Sequence, residues 1–233
     1  MTLIIFVRHA ESLANVELHK EKSLPIHEKS THDEMNKKIA NAGNDPELSE
    51  LGLKQAQNVA MYLKTKLNNQ PCKIITSAYK RAIQTSEPLK SMCENLVEYT
   101  INSSVNEYTH PNKKLSEDDI ANGIKNHDNW EEFIDSIFEF ISEIELKIQA
   151  DKDDKPIVIF GHSIYLSVMT TYIGSAKTFI PDKTDLVFRI PNCSITTFNY
   201  DKNSPLVSRW QIHNVASVKH LPDELLSGHE SQF

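Results

Sequence analysis

The chain has 233 residues, enough for one sizeable core that needs neither metal nor disulfide to stay folded. Its 25 Lys and Arg against 32 Asp and Glu leave a net charge of −7, which excludes the broad basic footprint of a nucleic-acid binder but permits a local positive pocket. Cys72, Cys93 and Cys193 are too few and too far apart for a disulfide framework or a zinc pattern.

Three buried thiols fit a reducing compartment, and a cytoplasmic location is expected. No run approaches the roughly 20 apolar residues of a membrane span, and the apolar start is too short, and lacks the basic flank, for a signal peptide. No membrane or nucleic-acid partner is therefore expected. The glycosylation patterns at Asn102 and Asn192 have no use in such a chain.

In chain order, Leu3 to Val7 is an unbroken apolar run, as expected of a strand buried on both faces. Residues 17–44 are polar and read as a surface insertion. They hold His19, His27 and His32, whose spacings of eight and five are too loose for a zinc pair, so solvated loop histidines are expected. Ser49 is placed to cap a helix whose apolar positions Leu53, Ala56, Ala60, Leu63 and Leu67 recur at steps of three and four. Lys73 to Thr76 is a second strand. A second polar stretch, 109–129, carries Lys113 and Lys114. Trp130, Phe133, Ile137, Ile141, Ile144 and Ile148 form a long helical stripe of core type. Ile157 to Phe160 is a third strand, followed by Gly161-His162-Ser163 and a helix over Ile164 to Tyr172. Leu186 to Ile190 and Ser194 to Tyr200 read as later strands.

Strands alternating with helices predict an α/β fold with a mostly parallel sheet, in one domain over 1–233 with insertions at 17–44 and 109–129. Three strands end in polar residues: Arg8-His9, Thr76-Ser77 with Arg81 one turn on, and Gly161-His162-Ser163. Ligands of open α/β sheets bind beyond the carboxyl ends of the strands. If the three runs are neighbours, two arginines and two histidines share one crevice. Guanidinium groups match a phosphoryl group with paired hydrogen bonds. A neutral imidazole is a nucleophile for phosphorus, and nearby arginines favour that neutral form. A helix starting after Ser163 adds N–H groups suited to an anion.

Five segments stand in order along the chain: "VRHAESLAN" from Val7, "DPELSELGLKQA" from Asp45, "TSAYKRAIQTSEPL" from Thr76, "VNEY" from Val105 and "VIFGHS" from Val158. In these the sequence resembles the histidine phosphatase superfamily, in its phosphoglycerate-mutase-like branch. The first segment is similar to the branch's LxRHGExxxN, and the others follow its later motifs. The resemblance implies a three-layer sandwich with helices on both sides of the sheet. It implies His9 as the phosphoryl-accepting nucleophile, Arg8 and Arg81 on the phosphate, and His162 as the second pocket histidine. It implies Glu107 as general acid and then base, with Ser12, Asn15 and Ser163 near phosphate or substrate. No metal and no cofactor are implied.

Two departures bear on activity. Ala10 stands where the family has glycine, a mild change. Tyr108-Thr109-His110-Pro111 replaces the arginine, tyrosine and glycine that suit mutases to phosphoglycerate. Metal-independent hydrolysis of a phosphomonoester, on a small molecule or a phosphoprotein, is the expectation. The alternatives are mutase-type phosphoryl transfer and a non-catalytic phosphate-binding scaffold. A serine hydrolase is disfavoured, because Tyr165 stands where the nucleophile elbow of "GHSIY" needs glycine. A carboxyl at the reference pKa of about 4.3 is protonated in about one molecule in five hundred at neutral pH. An acid role for Glu107 therefore requires a raised pKa, from burial under the cap or a nearby phosphate. The acidic stretch 222–233 reads as a frayed terminus or a partner-binding tail.

Overall fold

A computed structural model describes residues 1–25, 28–31, 34, 45–109, 115–151, 154–182, 190–205 and 208–227. Six strands form one sheet: β1 (Thr2–Arg8), β2 (Cys72–Thr76), β3 (Leu96–Ile101), β4 (Ile157–Gly161), β5 (Ile195–Tyr200) and β6 (Trp210–Ser217). Their order across the sheet is β3-β2-β4-β1-β5-β6. The first four in that order are parallel; β5 runs antiparallel to β1, and β6 antiparallel to β5. The helices are α1 (Leu13–Ser23), α2 (Glu50–Leu67), α3 (Lys80–Met92), α4 (Glu117–Ala121), α5 (Trp130–Ala150) and α6 (Ser163–Gly174).

Side-chain alternation along the strands divides the core into two apolar layers. Ile4, Phe6, Ile157 and Ile159 face α5 and α6, meeting Phe133, Ile137, Ile141, Leu166 and Met169. Ile5, Val7, Val158 and Phe160 face the other way, onto Ala56, Val59, Ala60, Leu63 and Leu67 of α2 and Leu89 of α3. The result is the three-layer sandwich. Because both faces are covered, Ile4 to Val7 are wholly buried, which explains the unbroken apolar run.

Ser49 caps α2 as expected, its hydroxyl accepting from the Gly52 amide at 3.0 Å. Leu53 departs from the expected stripe and is about half exposed, while Val59 takes a place in the core. The helix after β1 begins at Leu13, where Ser12 forms the cap, while Glu11 is buried and tied to other elements.

Several elements escaped the sequence reading. Helix α1 lies partly inside the supposed 17–44 loop, and its apolar residues form no buried stripe, its buried positions being Asn15 and Glu21. Helix α3 mixes polar and apolar residues. Strands β3 and β6 are the sheet's edges and stay partly exposed, so neither shows an apolar run. The expected strand at Leu186 to Ile190 lies outside the described residues except for Ile190, which is in no strand. Cys72 and Cys193 are buried, whereas Cys93 is only half-buried, with its sulfur 3.2 Å from that of Cys72. The acidic stretch starts anchored rather than frayed: Gln55 Nε2 donates to the Leu225 carbonyl and to Ser227 Oγ. Among the described residues no helix is long and apolar enough to cross a membrane.

Candidate active site

Strand register assembles the site. Arg8 pairs with Gly161 and Thr76 with Phe160, so β1, β2 and β4 end at one level. The backbone bonds continue one step beyond, from His9 N–H to Gly161 O at 2.8 Å and from Ser77 N–H to Phe160 O at 2.9 Å. His9, Ser77 and His162 therefore meet at the carboxyl edge, where parallel sheets hold ligands. Gly161 is required here, since a Cβ would lie 2.6 Å from the Phe6 ring.

His9 is 95% shielded from solvent, and its Nδ1 lies 2.7 Å from the Ala10 carbonyl. A carbonyl only accepts, so the proton of neutral His9 sits on Nδ1 and Nε2 keeps the lone pair. Burial, then Arg81 and then Arg8, holds the ring well below the ordinary imidazole range, against the opposing Ala10 bond. The nucleophilic form is the resting form at neutral pH. Its backbone is held by Asn192 Nδ2 and Cys193 N–H, both 3.2 Å from the His9 carbonyl. Ala10 N–H donates to Thr85 Oγ1 at 3.0 Å, which ties this loop to α3.

The His162 ring lies 5.2 Å from that of His9. Its Nδ1 is 3.3 Å from an Arg81 nitrogen and its Nε2 is 2.7 Å from Ser77 Oγ. Arg81 also lies over the Tyr79 ring, 4.1 Å from its centroid, and 3.6 Å from Asp45. That aromatic face and carboxylate hold the guanidinium flat. Asp45 in turn accepts from the first amide of α3, Lys80 N–H, at 2.9 and 3.0 Å. Arg8 reaches the Ile190 carbonyl across the start of the β5 arm. Burial, then Arg81, His9 and Arg8, holds His162 well below the usual range as well.

Glu107 follows β3 and turns back to the start of α6. Its carboxylate accepts from Ile164 N–H at 3.1 Å and from Tyr165 and Tyr108 N–H at 3.2 Å. The second and third amides of α6 thus serve Glu107, which corrects the expectation that the amides after Ser163 point at the anion. Burial raises the carboxyl above its ordinary range, and the three amides and Arg81 pull the other way.

Ser12 and Asn15 lie beside His9 but are bound to each other. Ser12 Oγ donates to Asn15 Oδ1 at 3.0 Å, and Asn192 Nδ2 donates to the same oxygen at 3.0 Å. Ser163 opens α6, half-buried beside His162. Of the three insertion histidines, His19 is on α1, 3.3 Å from Glu11, while His27 and His32 lie outside the described residues, as do Lys113 and Lys114. Sequence reasoning named Ser77 only as a polar strand end, with no role, and missed Tyr79, Thr85, Asn106 and Asn192. Ser77 and Thr85 stand at motif positions, which was the available signal. Asn106 and Asn192 had none beyond adjacency to Glu107 and to β5.

Residues 4–213 match the family model described as histidine phosphatase superfamily (branch 1). The chain belongs to the histidine phosphatase superfamily. No curated protein matches it at the sequence level. Solved structures share its fold. "Mycobacterial hydrolase 1" is 19% identical, with a TM-score of 0.62 over 93% of this chain and 99% of that one. A mycobacterial glucosyl-3-phosphoglycerate phosphatase complexed with VO3 is 18% identical, with a TM-score of 0.59 over 92% and 99%. A phosphoserine phosphatase mutant from Entamoeba histolytica, in complex with phosphoserine, is 20% identical, with a TM-score of 0.60 over 95% and 100%. In this histidine phosphatase fold, His9, Arg81, Glu107 and His162 gather beyond the carboxyl edge of the parallel strands.

Proposed function

We propose that the chain is a metal-independent phosphatase that hydrolyses a phosphomonoester through a phosphohistidine on His9. The observation that carries this reading is the Nδ1–H of His9 held on the Ala10 carbonyl, which leaves a lone pair on Nε2 among Arg8, Arg81 and His162. His9 Nε2 attacks phosphorus and the P–O bond to the leaving group breaks. Arg8 and Arg81 neutralise the non-bridging oxygens, and His162 adds a third contact. Glu107, with its pKa raised by burial, gives its proton to the leaving oxygen and then takes one from the water that frees phosphate. Ser12, Asn15 and Ser163 border the pocket where the rest of the substrate lies. No metal or cofactor enters, and the protein acts in the cytoplasm.

Hydrolysis is favoured over mutase transfer by the residue after Glu107. Tyr108 packs on His127, Trp130 and Phe133, so that position contributes a ring to the core cluster rather than a cation to a second phosphate. The phosphatases named among the structural neighbours agree with this reading. Release of phosphate from p-nitrophenyl phosphate, with EDTA present, is expected in the parent and lost in His9→Ala. Activity that persists in the variant, or that the chelator abolishes, overturns it.

A further inference from the structure

His162 is one end of a hydrogen-bonded chain whose every proton can be assigned. Asn106 is buried, and its Oδ1 accepts from Ala78 N–H at 2.9 Å while its Nδ2 donates to the Gly123 carbonyl at 3.1 Å. Those backbone partners fix which end of the amide is oxygen. Ser77, also buried, gives its single hydroxyl proton to Asn106 Oδ1 at 2.8 Å. Its two lone pairs then accept from Tyr79 N–H at 3.3 Å and from His162 Nε2 at 2.7 Å. Were Ser77 to donate to His162 instead, its oxygen would face Asn106 Oδ1 with no proton between them. At the other side of the ring Arg81, which only donates, stands 3.3 Å from Nδ1. Both neighbours demand the same form of the imidazole. They also keep Ser77 from serving as a nucleophile, since its proton points away from His162.

We propose that Asn106 and Ser77 are positioning residues that lock His162 in its neutral Nε2–H tautomer, so that Nδ1 acquires a proton only when a phosphate dianion enters. The groups facing His162 set this coupling. Arg81 comes from α3, Arg8 and His9 from β1 and the turn after it, and Tyr79 stands edge-on at 5.1 Å. Glu107 on the loop after β3 and Asp45 before α2 bear on it through Arg81. The two guanidinium groups disfavour an imidazolium. A dianion offers only acceptors, so a bare Nδ1 repels it, while its two negative charges offset the arginines. One proton passes from solvent to Nδ1, and the hydrogen bond that Arg81 gives this nitrogen is exchanged for ones from Nδ1–H and from Arg81 to the anion; no other covalent bond is made or broken. Only the identity of the anion rests on the phosphatase reading.

Long-range 1H–15N NMR of the ring nitrogens tests this, with His162 assigned by the loss of its signals in His162→Gln. The ligand-free parent is expected to show neutral His162 protonated on Nε2. Asn106→Ala frees the Ser77 proton for Nε2, and an Nδ1–H form appears beside the Nε2–H form that Arg81 still favours. Ser77→Thr keeps the hydroxyl and the parent tautomer. Saturating inorganic phosphate converts His162 to the imidazolium. Ser77→Ala lowers kcat by roughly tenfold to a hundredfold, the worth of one hydrogen bond to a charged partner. An Nδ1–H form in the ligand-free parent overturns the lock, and so does an unchanged tautomer in Asn106→Ala. A neutral His162 with phosphate bound overturns the coupling. If phosphate perturbs neither His9 nor His162, the phosphatase reading falls with the coupling, while the ligand-free spectrum still decides the lock.

Discussion

Glu107 shows two opposing effects on one carboxyl. The amides of Ile164, Tyr165 and Tyr108 favour its charged form, and burial disfavours it more. The net rise makes a protonated carboxyl available for a leaving oxygen, and the same amides keep it aimed after the proton has gone. A leaving group of high basicity depends on that proton, whereas p-nitrophenolate leaves almost unaided. Glu107→Gln is therefore expected to slow an alkyl phosphate by roughly 10²–10⁴-fold, the usual range for general acid catalysis. The loss on p-nitrophenyl phosphate is expected to be much smaller. Parallel kcat measurements on the two substrates check this, and equal losses on both would remove the acid role. His9 shows the converse: burial and two arginines both disfavour its charged form, so the lone pair on Nε2 that the proposed attack needs is free without a base.

At the scale of elements, the site depends on how closely α2 approaches the turn after β1. Ser49 N–H donates to the Glu11 carbonyl at 2.9 Å, and Ser49 Oγ donates to the Glu11 carboxylate at 2.7 Å. A Cβ on Gly52 would lie 2.0 Å from the Glu11 carbonyl oxygen, so helix and turn touch through bare backbone. Gly52→Ala is expected to cost at least the roughly 1–3 kcal/mol of ordinary overpacking and to lower turnover by displacing His9. Leu53→Ala, one residue on and about half exposed, should stay within about 0.5 kcal/mol. Urea unfolding of the two variants gives the comparison, and a Gly52→Ala protein as stable as Leu53→Ala would remove the packing claim. The sequence made such contacts partly legible. The inner strands were clear because burial on both faces leaves only apolar residues, as in Ile4 to Val7. Edge strands such as β3, with Glu98 in water between Val97 and Tyr99, carry no unbroken apolar run and look like loop. Helix α1 is held by its Ser12 cap and the Glu11–His19 contact rather than by an apolar stripe, so periodicity missed it. His9, Arg81 and His162 were legible because ordered motifs carry them. Asn106 was not, because its importance lies in where its amide points, and that depends on Ala78 and Gly123 from distant parts of the chain.

Across the whole molecule, burial of neutral imidazoles couples stability to pH. His9, His127, His162 and His220 all have their pKa lowered, with burial as the first cause. His220 lies outside the pocket, 5.1 Å from the Tyr62 ring of α2, with its Nε2 buried and unpaired among the described residues. Burial pushes it down to about 4 against a bond to the Cys193 backbone. An unfolded imidazole takes its proton near pH ~6.5. Between those two values the unfolded chain holds a proton that the folded chain lacks. By linkage, His220 lowers stability progressively as pH falls through that window, and the loss levels off below it. Asp45 and Glu107 are raised by burial and contribute with the opposite sign, stabilising as pH falls. These carboxyls, like His9 and His162, stay in both proteins when only His220 is changed, so the difference isolates one ring. His220→Gln is expected to gain on the parent steadily as urea unfolding is repeated from neutral pH downward, with the gain ending near the folded pKa. Stability curves that stay parallel from neutral to acid pH would show that His220 takes its proton equally in both states and that its burial costs the fold nothing.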